Sequence, residues 1–99
     1  MVLTHQEAHM GYDIRTDSSR RVIDVAVGVL VGLRGCRDRA AFDELVSVVN
    51  RTGIGIGSIA GALVDLSVGE SGQSSAHLEA FNAWGQLVAN ARLTPLSTA

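Results

Sequence analysis

Residues 20–63 read RRVIDVAVGVLVGLRGCRDRAAFDELVSVVNRTGIGIGSIAGAL, and this stretch decides the fold. In its first part Val22, Ile23, Ala26, Val29, Leu30 and Leu33 recur at spacings of three and four, the signature of one helical face. Asp17-Ser18-Ser19 supplies capping side chains just ahead of that run, and Gly35 ends it. Asp38 opens a second helix whose apolar stripe is Ala41, Phe42, Leu45, Val48 and Val49, closing near Thr52-Gly53. A third helix begins between Ile56 and Ser58 and buries Ile59, Ala60, Leu63, Val64 and Leu66. The intervening Gly53-Ile54-Gly55-Ile56-Gly57 finds no second strand pattern to pair with, and reads as a turn.

Small residues punctuate these faces. Gly28 and Gly32 sit inside the first helix, each costing roughly 1 kcal/mol relative to Ala. That cost is understandable if another backbone or a ligand approaches closely there. Ala26, Gly28 and Ala41 are most simply read as helix-packing positions.

Outside this stretch, residues 1–16 form a leader of weak periodicity, and residues 17–67 are the three-helix unit. Residues 68–75 are a Gly/Ser-rich linker, and 76–93 a fourth helix. Its stripe, Leu78, Phe81, Trp84, Leu87, Val88 and Ala91, is expected either to close over the core or to form a dimer surface. The expectation is an all-α single domain.

The 99 residues suffice for one small core and not two. Hydrophobic residues make up 46%, enough for a core without disulfide or metal staples. A single cysteine, Cys36, excludes an internal disulfide and suits a reducing compartment. No run approaches the ~18 apolar residues of a membrane span, and no signal peptide is visible. The expected location is the cytoplasm, with no membrane partner.

Net charge is −2, which on its own argues against a nucleic-acid binder. Its distribution is uneven: residues 20–51 hold Arg20, Arg21, Arg34, Arg37, Arg39 and Arg51 against Asp24, Asp38, Asp43 and Glu44. Every basic residue is Arg, suited to bidentate contacts with phosphate or guanine and equally to carboxylates.

Other chemistry finds little support. His5 and His9 are spaced like a zinc-binding pair, but Gln6 stands where a zincin carries Glu, and no third ligand follows. The alternating glycines lack the spacing, preceding strand and Lys-Ser/Thr of phosphate loops. No Ser/His/Asp or Cys/His constellation is legible. Neither catalysis, a metal nor a cofactor is expected.

The stretch resembles the ANTAR domain of bacterial antitermination regulators. That family pattern runs Arg-x-x-Ile-x-x-Ala-x-Gly-x-Leu-Met, then Gly-Cys-x-x-x-x-Ala-Phe-x-x-Leu, then a basic turn and Val-Ala. Arg20, Ile23, Ala26, Gly28, Leu30, Gly35, Cys36, Ala41, Phe42, Leu45, Arg51, Thr52, Ile56, Ile59 and Ala60 match it without gaps. The resemblance implies a small three-helix bundle, here with an additional C-terminal helix. It implies binding of paired RNA hairpin loops, usually as a homodimer, so that a transcription terminator does not form. The six arginines from Arg20 to Arg51 are then the candidate RNA contacts, with Arg20 and Arg51 on family positions.

The departures are specific. Val27, Val46 and Ser47 stand where the family often has basic residues, and the Gly/Ile turn replaces a basic run. Each lost phosphate contact removes about one unit of salt slope, so three or four would weaken RNA affinity by orders of magnitude. The alternative reading is therefore a degenerate ANTAR fold acting as a protein-interaction or dimerisation module through Ile54 and the Trp84 stripe. A sensor protein acting in trans is a further partner.

Overall fold

The structure, a computed structural model, describes residues 19–93. The leader with His5 and His9, the capping residues Asp17 and Ser18, and Pro95 lie outside the described residues. Four helices are present among those described: α1 over residues 19–34, α2 (Asp38–Thr52), α3 (Ile56–Ser67) and α4 (Ser75–Leu93). The chain is all-α, as its periodicity predicts, and the Gly/Ile segment is a turn.

Each helix end has an identifiable cause. Gly35 donates its N–H to the Val31 carbonyl at 2.8 Å and takes φ 70°, stopping α1. Gly53 does the same for α2 with φ 76° and a 2.8 Å bond to Val49 O. The Thr52 hydroxyl then donates to Val48 O (2.8 Å) and accepts the Ile54 N–H (3.2 Å), which fixes the exit direction. As a result α3 leaves at 115° to α2 after three turn residues. At the end of α3 the Gly69 N–H reaches Leu66 O and the Glu70 N–H reaches Asp65 O, the paired bonds of a Schellman motif.

The core is Ala26 and Leu30 of α1, Ala41, Leu45 and Val48 of α2, Ile59, Ala60, Ala62 and Leu63 of α3, and Ala76, Ala80 and Trp84 of α4. Alanine at so many crossings lets helix axes approach closely. Gly57 and Gly61 extend this: a Cβ at Gly57 would lie 3.7 Å from Ser19 Oγ, and one at Gly61 would lie 4.0 Å from Val22 Cγ2. The first turns of α1 and α3 therefore run side by side.

α4 is tied to the last turn of α3 from both of its own ends. His77 Nε2 and Asp65 Oδ2 are hydrogen-bonded at 2.9 Å, and Arg92 Nη2 donates to Ser67 O at 2.9 Å.

Two expectations about burial are corrected, and a third is divided. Phe42, assigned to the α2 core stripe, is 40% exposed. Of the α4 stripe, expected to close over the core or to form a dimer surface, Trp84 and Val88 are buried with Ala76 and Ala80, while Leu78 and Phe81 are 60% and 62% exposed. Close packing against α3 selects the small side chains and leaves the large ones on the other side. Gly28 is no packing glycine either. It and Gly32 are exposed, and a Cβ at either would meet nothing within 4 Å.

Leu63→Ala should lower unfolding free energy by about 2–5 kcal/mol, because Leu63 is fully buried. Val25→Ala, at a half-exposed helical site, should stay within about 0.5 kcal/mol of the parent. Urea titrations followed by circular dichroism distinguish the two. Equal losses would contradict the burial pattern.

Candidate nucleic-acid interface

The six arginines divide into two groups at opposite ends of α1, whose described residues rise about 24 Å. Arg20 and Arg21 lie in the first described turn of α1, and Arg51 in the last turn of α2. Because Ser19 lies against Gly57, and because only Gly53–Gly55 separates α2 from α3, these three share one end of the molecule with the start of α3. All three are exposed, and none makes an ion pair among the described residues. Arg51 also faces the negative end of the α2 dipole, a stabilising arrangement whatever else it binds.

The same end exposes backbone. The residue before α3, Gly55, offers no capping side chain, and the first turn of α3 contains no acid. Its N–H groups carry the partial positive charge of a helix start. Gly53 and Gly55 have open space where a side chain would be. Arg21, Val25, Gly28 and Gly32 continue along an exposed side of α1 at spacings of three and four.

Arg34, Arg37 and Arg39 lie at the far end, around the α1–α2 turn. Arg34 is committed to structure: Nε and Nη2 grip Glu44 Oε1 and Oε2 at 3.2 and 2.8 Å. Arg39 pairs with Asp43 at 3.7 Å, one helical turn on, with both side chains largely exposed. Arg37 precedes α2 without a capping side-chain bond and is exposed.

Glu44, which the sequence offers only as one of four acids set against the arginines, has a bridging role that sequence reasoning missed. Besides Arg34 it accepts the indole N–H of Trp84 at 2.8 Å, so one carboxylate joins α1, α2 and α4. The Trp84 partner is forty residues away, and no local pattern announces it. Burial pushes the Glu44 carboxyl up. The hydrogen bonds from Arg34 and Trp84, with the guanidinium charge, outweigh it and hold the group below the usual carboxylate range. The hydrogen bond to Glu44 and its charge raise Arg34 in turn.

One constellation absent from the sequence reading does form. Ser74 Oγ and His77 Nδ1 share a 2.7 Å hydrogen bond, and His77 Nε2 continues to Asp65. Ser74 Oγ also accepts the His77 backbone N–H at 3.2 Å, which makes it the cap of α4. The chain Ser74–His77–Asp65 is a strap between α3 and α4. Cys36 is half-buried against the core, and the described residues hold no group of His, Cys, Asp and Glu able to bind a metal. Among them, no single helix is long and apolar enough to cross a membrane.

Fold and surface together define a small helical module with an arginine-bearing end. The ANTAR domain family pattern matches residues 15–64, half of the chain, and the protein belongs to that family. ANTAR domains are regulatory modules known in RNA-binding antiterminators. No curated protein and no solved structure matches the chain.

Acid should weaken the fold through Glu44. Because its folded pKa is depressed, its contribution is complete above the ordinary glutamate value of about 4.3. That contribution is lost as pH falls through the lower folded value. Urea midpoints measured between neutral pH and pH about 3 should fall more steeply for the parent than for Glu44→Gln. Identical pH profiles would remove Glu44 from this role.

Proposed function

We propose that the protein is an RNA-binding regulator of transcription termination that recognises paired hairpin loops as a homodimer. The observation that carries the reading is the meeting of Arg20, Arg21, Arg51 and the uncapped start of α3 at one end of the molecule. Phosphate oxygens would meet the three arginines and the α3 N–H groups there.

This arrangement bears on the missing basic turn. Where Lys and Arg side chains are replaced by Gly53, Gly55 and Gly57, the backbone itself becomes approachable, and helix-start N–H groups can take over part of the lost phosphate binding. On α1, the open positions at Gly28 and Gly32 would let a sugar-phosphate strand lie close to the helix. Phe42, the one aromatic residue in the family match and partly exposed, offers a ring for an unpaired loop base. Arg37 is a second-rank contact at the other end. Arg34 and Arg39 are assigned to the ion pairs they already make.

The alternative, a protein-interaction or dimerisation module through Ile54 and the Trp84 stripe, loses support at Ile54 and keeps it at Leu78 and Phe81 of the stripe, which are exposed. Ile54 is half-buried and packed on the core.

Fluorescence anisotropy with a labelled two-hairpin RNA and its single-hairpin half, across a salt series, tests the reading. Tighter binding to the paired hairpins is expected, with the log–log salt slope falling by about 0.7–0.9 for each of Arg20→Ala and Arg51→Ala. Equal weak binding to any RNA, or unchanged slopes, would discard it. Gly28→Ala offers a sharper contrast. At this exposed helix-interior site the methyl should raise stability by about 0.5–1 kcal/mol while weakening RNA binding several-fold. A more stable variant with undiminished affinity would remove the Gly28 side of α1 from the interface and leave its arginine-bearing start to the Arg20→Ala test.

A further inference from the structure

A cap for α4 needs only the Ser74 hydroxyl on the His77 N–H, and the side chains there do more. Ser74 Oγ lies 2.7 Å from His77 Nδ1, and Asp65 Oδ2, from a different helix, lies 2.9 Å from His77 Nε2. A carboxylate accepts and does not donate. In the neutral ring Nε2 therefore carries the proton, and Nδ1 keeps its lone pair for the Ser74 hydroxyl. The linker holds the ring from a third direction. A Cβ at Gly72 would come 2.5 Å from His77 Cε1, so glycine is what lets the backbone lie there. Hydroxyl, imidazole and carboxylate are thus aligned in the order that activates a serine, with the two ring nitrogens exchanged relative to the usual arrangement.

The surroundings suit attack on a carbonyl. Ser74 is exposed and His77 half-buried, so the nucleophile is reachable and its base is sheltered. All three residues line a cavity of about 320 Å³, together with Gly57 and Gly61 of α3. Ser75 and Ala76 line it too, and their N–H groups, in the first turn of α4, have no intrahelical partner. They are donors for an oxyanion formed beside Ser74. The 3.2 Å bond from the His77 N–H to Ser74 Oγ favours negative charge on that oxygen as its proton leaves. Asp65 lines the cavity, and among the described residues no arginine does, so an uncharged substrate suits it better than a carboxylate.

We propose that Ser74 is a nucleophile that takes the acyl group of a small, uncharged carboxylic ester. The Ser74 proton passes to His77 Nδ1 as Oγ bonds to the carbonyl carbon. The bond to the leaving alcohol then breaks, and that alcohol takes the proton from Nδ1. Water completes the transfer by the same route. It gives a proton to Nδ1, adds its oxygen to the acyl carbon, and frees the acid as Ser74 recovers a proton. Asp65 is a positioning residue that fixes the tautomer. None of the six arginines takes part, so the site stands apart from the RNA reading.

Incubation with p-nitrophenyl acetate, followed by nitrophenolate absorbance and peptide mass spectrometry after an acid quench, tests this. The parent should release nitrophenolate and carry an acetyl group on Ser74. Acetyl groups elsewhere in the chain and none on Ser74 would overturn the proposal. His77→Gln should slow acetylation of Ser74 by about 100-fold or more with helical circular dichroism unchanged. Asp65→Asn should slow it as well, because its amide can donate to Nε2 and turn the ring to the wrong tautomer. Labelling as fast as the parent's in either folded variant would also overturn it. If both variants unfold, the parent held unfolded in concentrated urea decides. Acetylation as fast there as in the folded chain would make Ser74 an ordinary exposed serine.

Discussion

One carboxylate holds three helices in register. Glu44 sits on α2 between the Arg34 guanidinium of α1 and the indole N–H of Trp84 on α4. Trp84 is the largest fully buried side chain, and its N–H would be an unsatisfied donor without that oxygen. The apolar side chains around it are mostly alanines, valines and leucines, which fill space without specifying an orientation. The polar contact supplies the direction: it sets which side of α4 turns inward and where α1 must end. Arg34 completes the charge balance, and an arginine that sequence alone offers to a nucleic acid is thereby spent on architecture.

The rest of α4 follows from this anchor and from its ties to α3. With Trp84 fixed, Ala80, Ala76 and Val88 lie on the same side at spacings of four, and the two hydrogen-bonded ends settle on the last turn of α3. Leu78 and Phe81 are then rotated outward. An apparent excess of apolar surface is therefore the result of close helix packing and not of a poorly formed core.

Much of this was legible in the residues. Capping glycines and three-four spacing place α1 to α3, and the ungapped small and apolar positions carry the family resemblance. The misreadings share a physical origin. Periodicity finds apolar positions but does not divide them between two sides of a helix, and the α4 stripe joins buried Trp84 and Val88 with exposed Leu78 and Phe81. Phe42 was placed inward for the same reason. A helix-interior glycine such as Gly28 implies a close neighbour, yet among the described residues a Cβ there meets none. Glu44, Trp84 and the Ser74–His77–Asp65 strap depend on pairs distant in sequence or on a helix crossing. The arginine positions were visible, but their division into paired and unpaired groups required the fold.

The contact between Trp84 and Glu44 also makes the molecule self-reporting. The chain contains one tryptophan, so its ultraviolet emission arises from a single indole whose surroundings are known. A buried ring bonded to a carboxylate should emit at shorter wavelength than one released into water. The colour of that emission therefore reads out, with no added label, whether the first, second and fourth helices are still assembled.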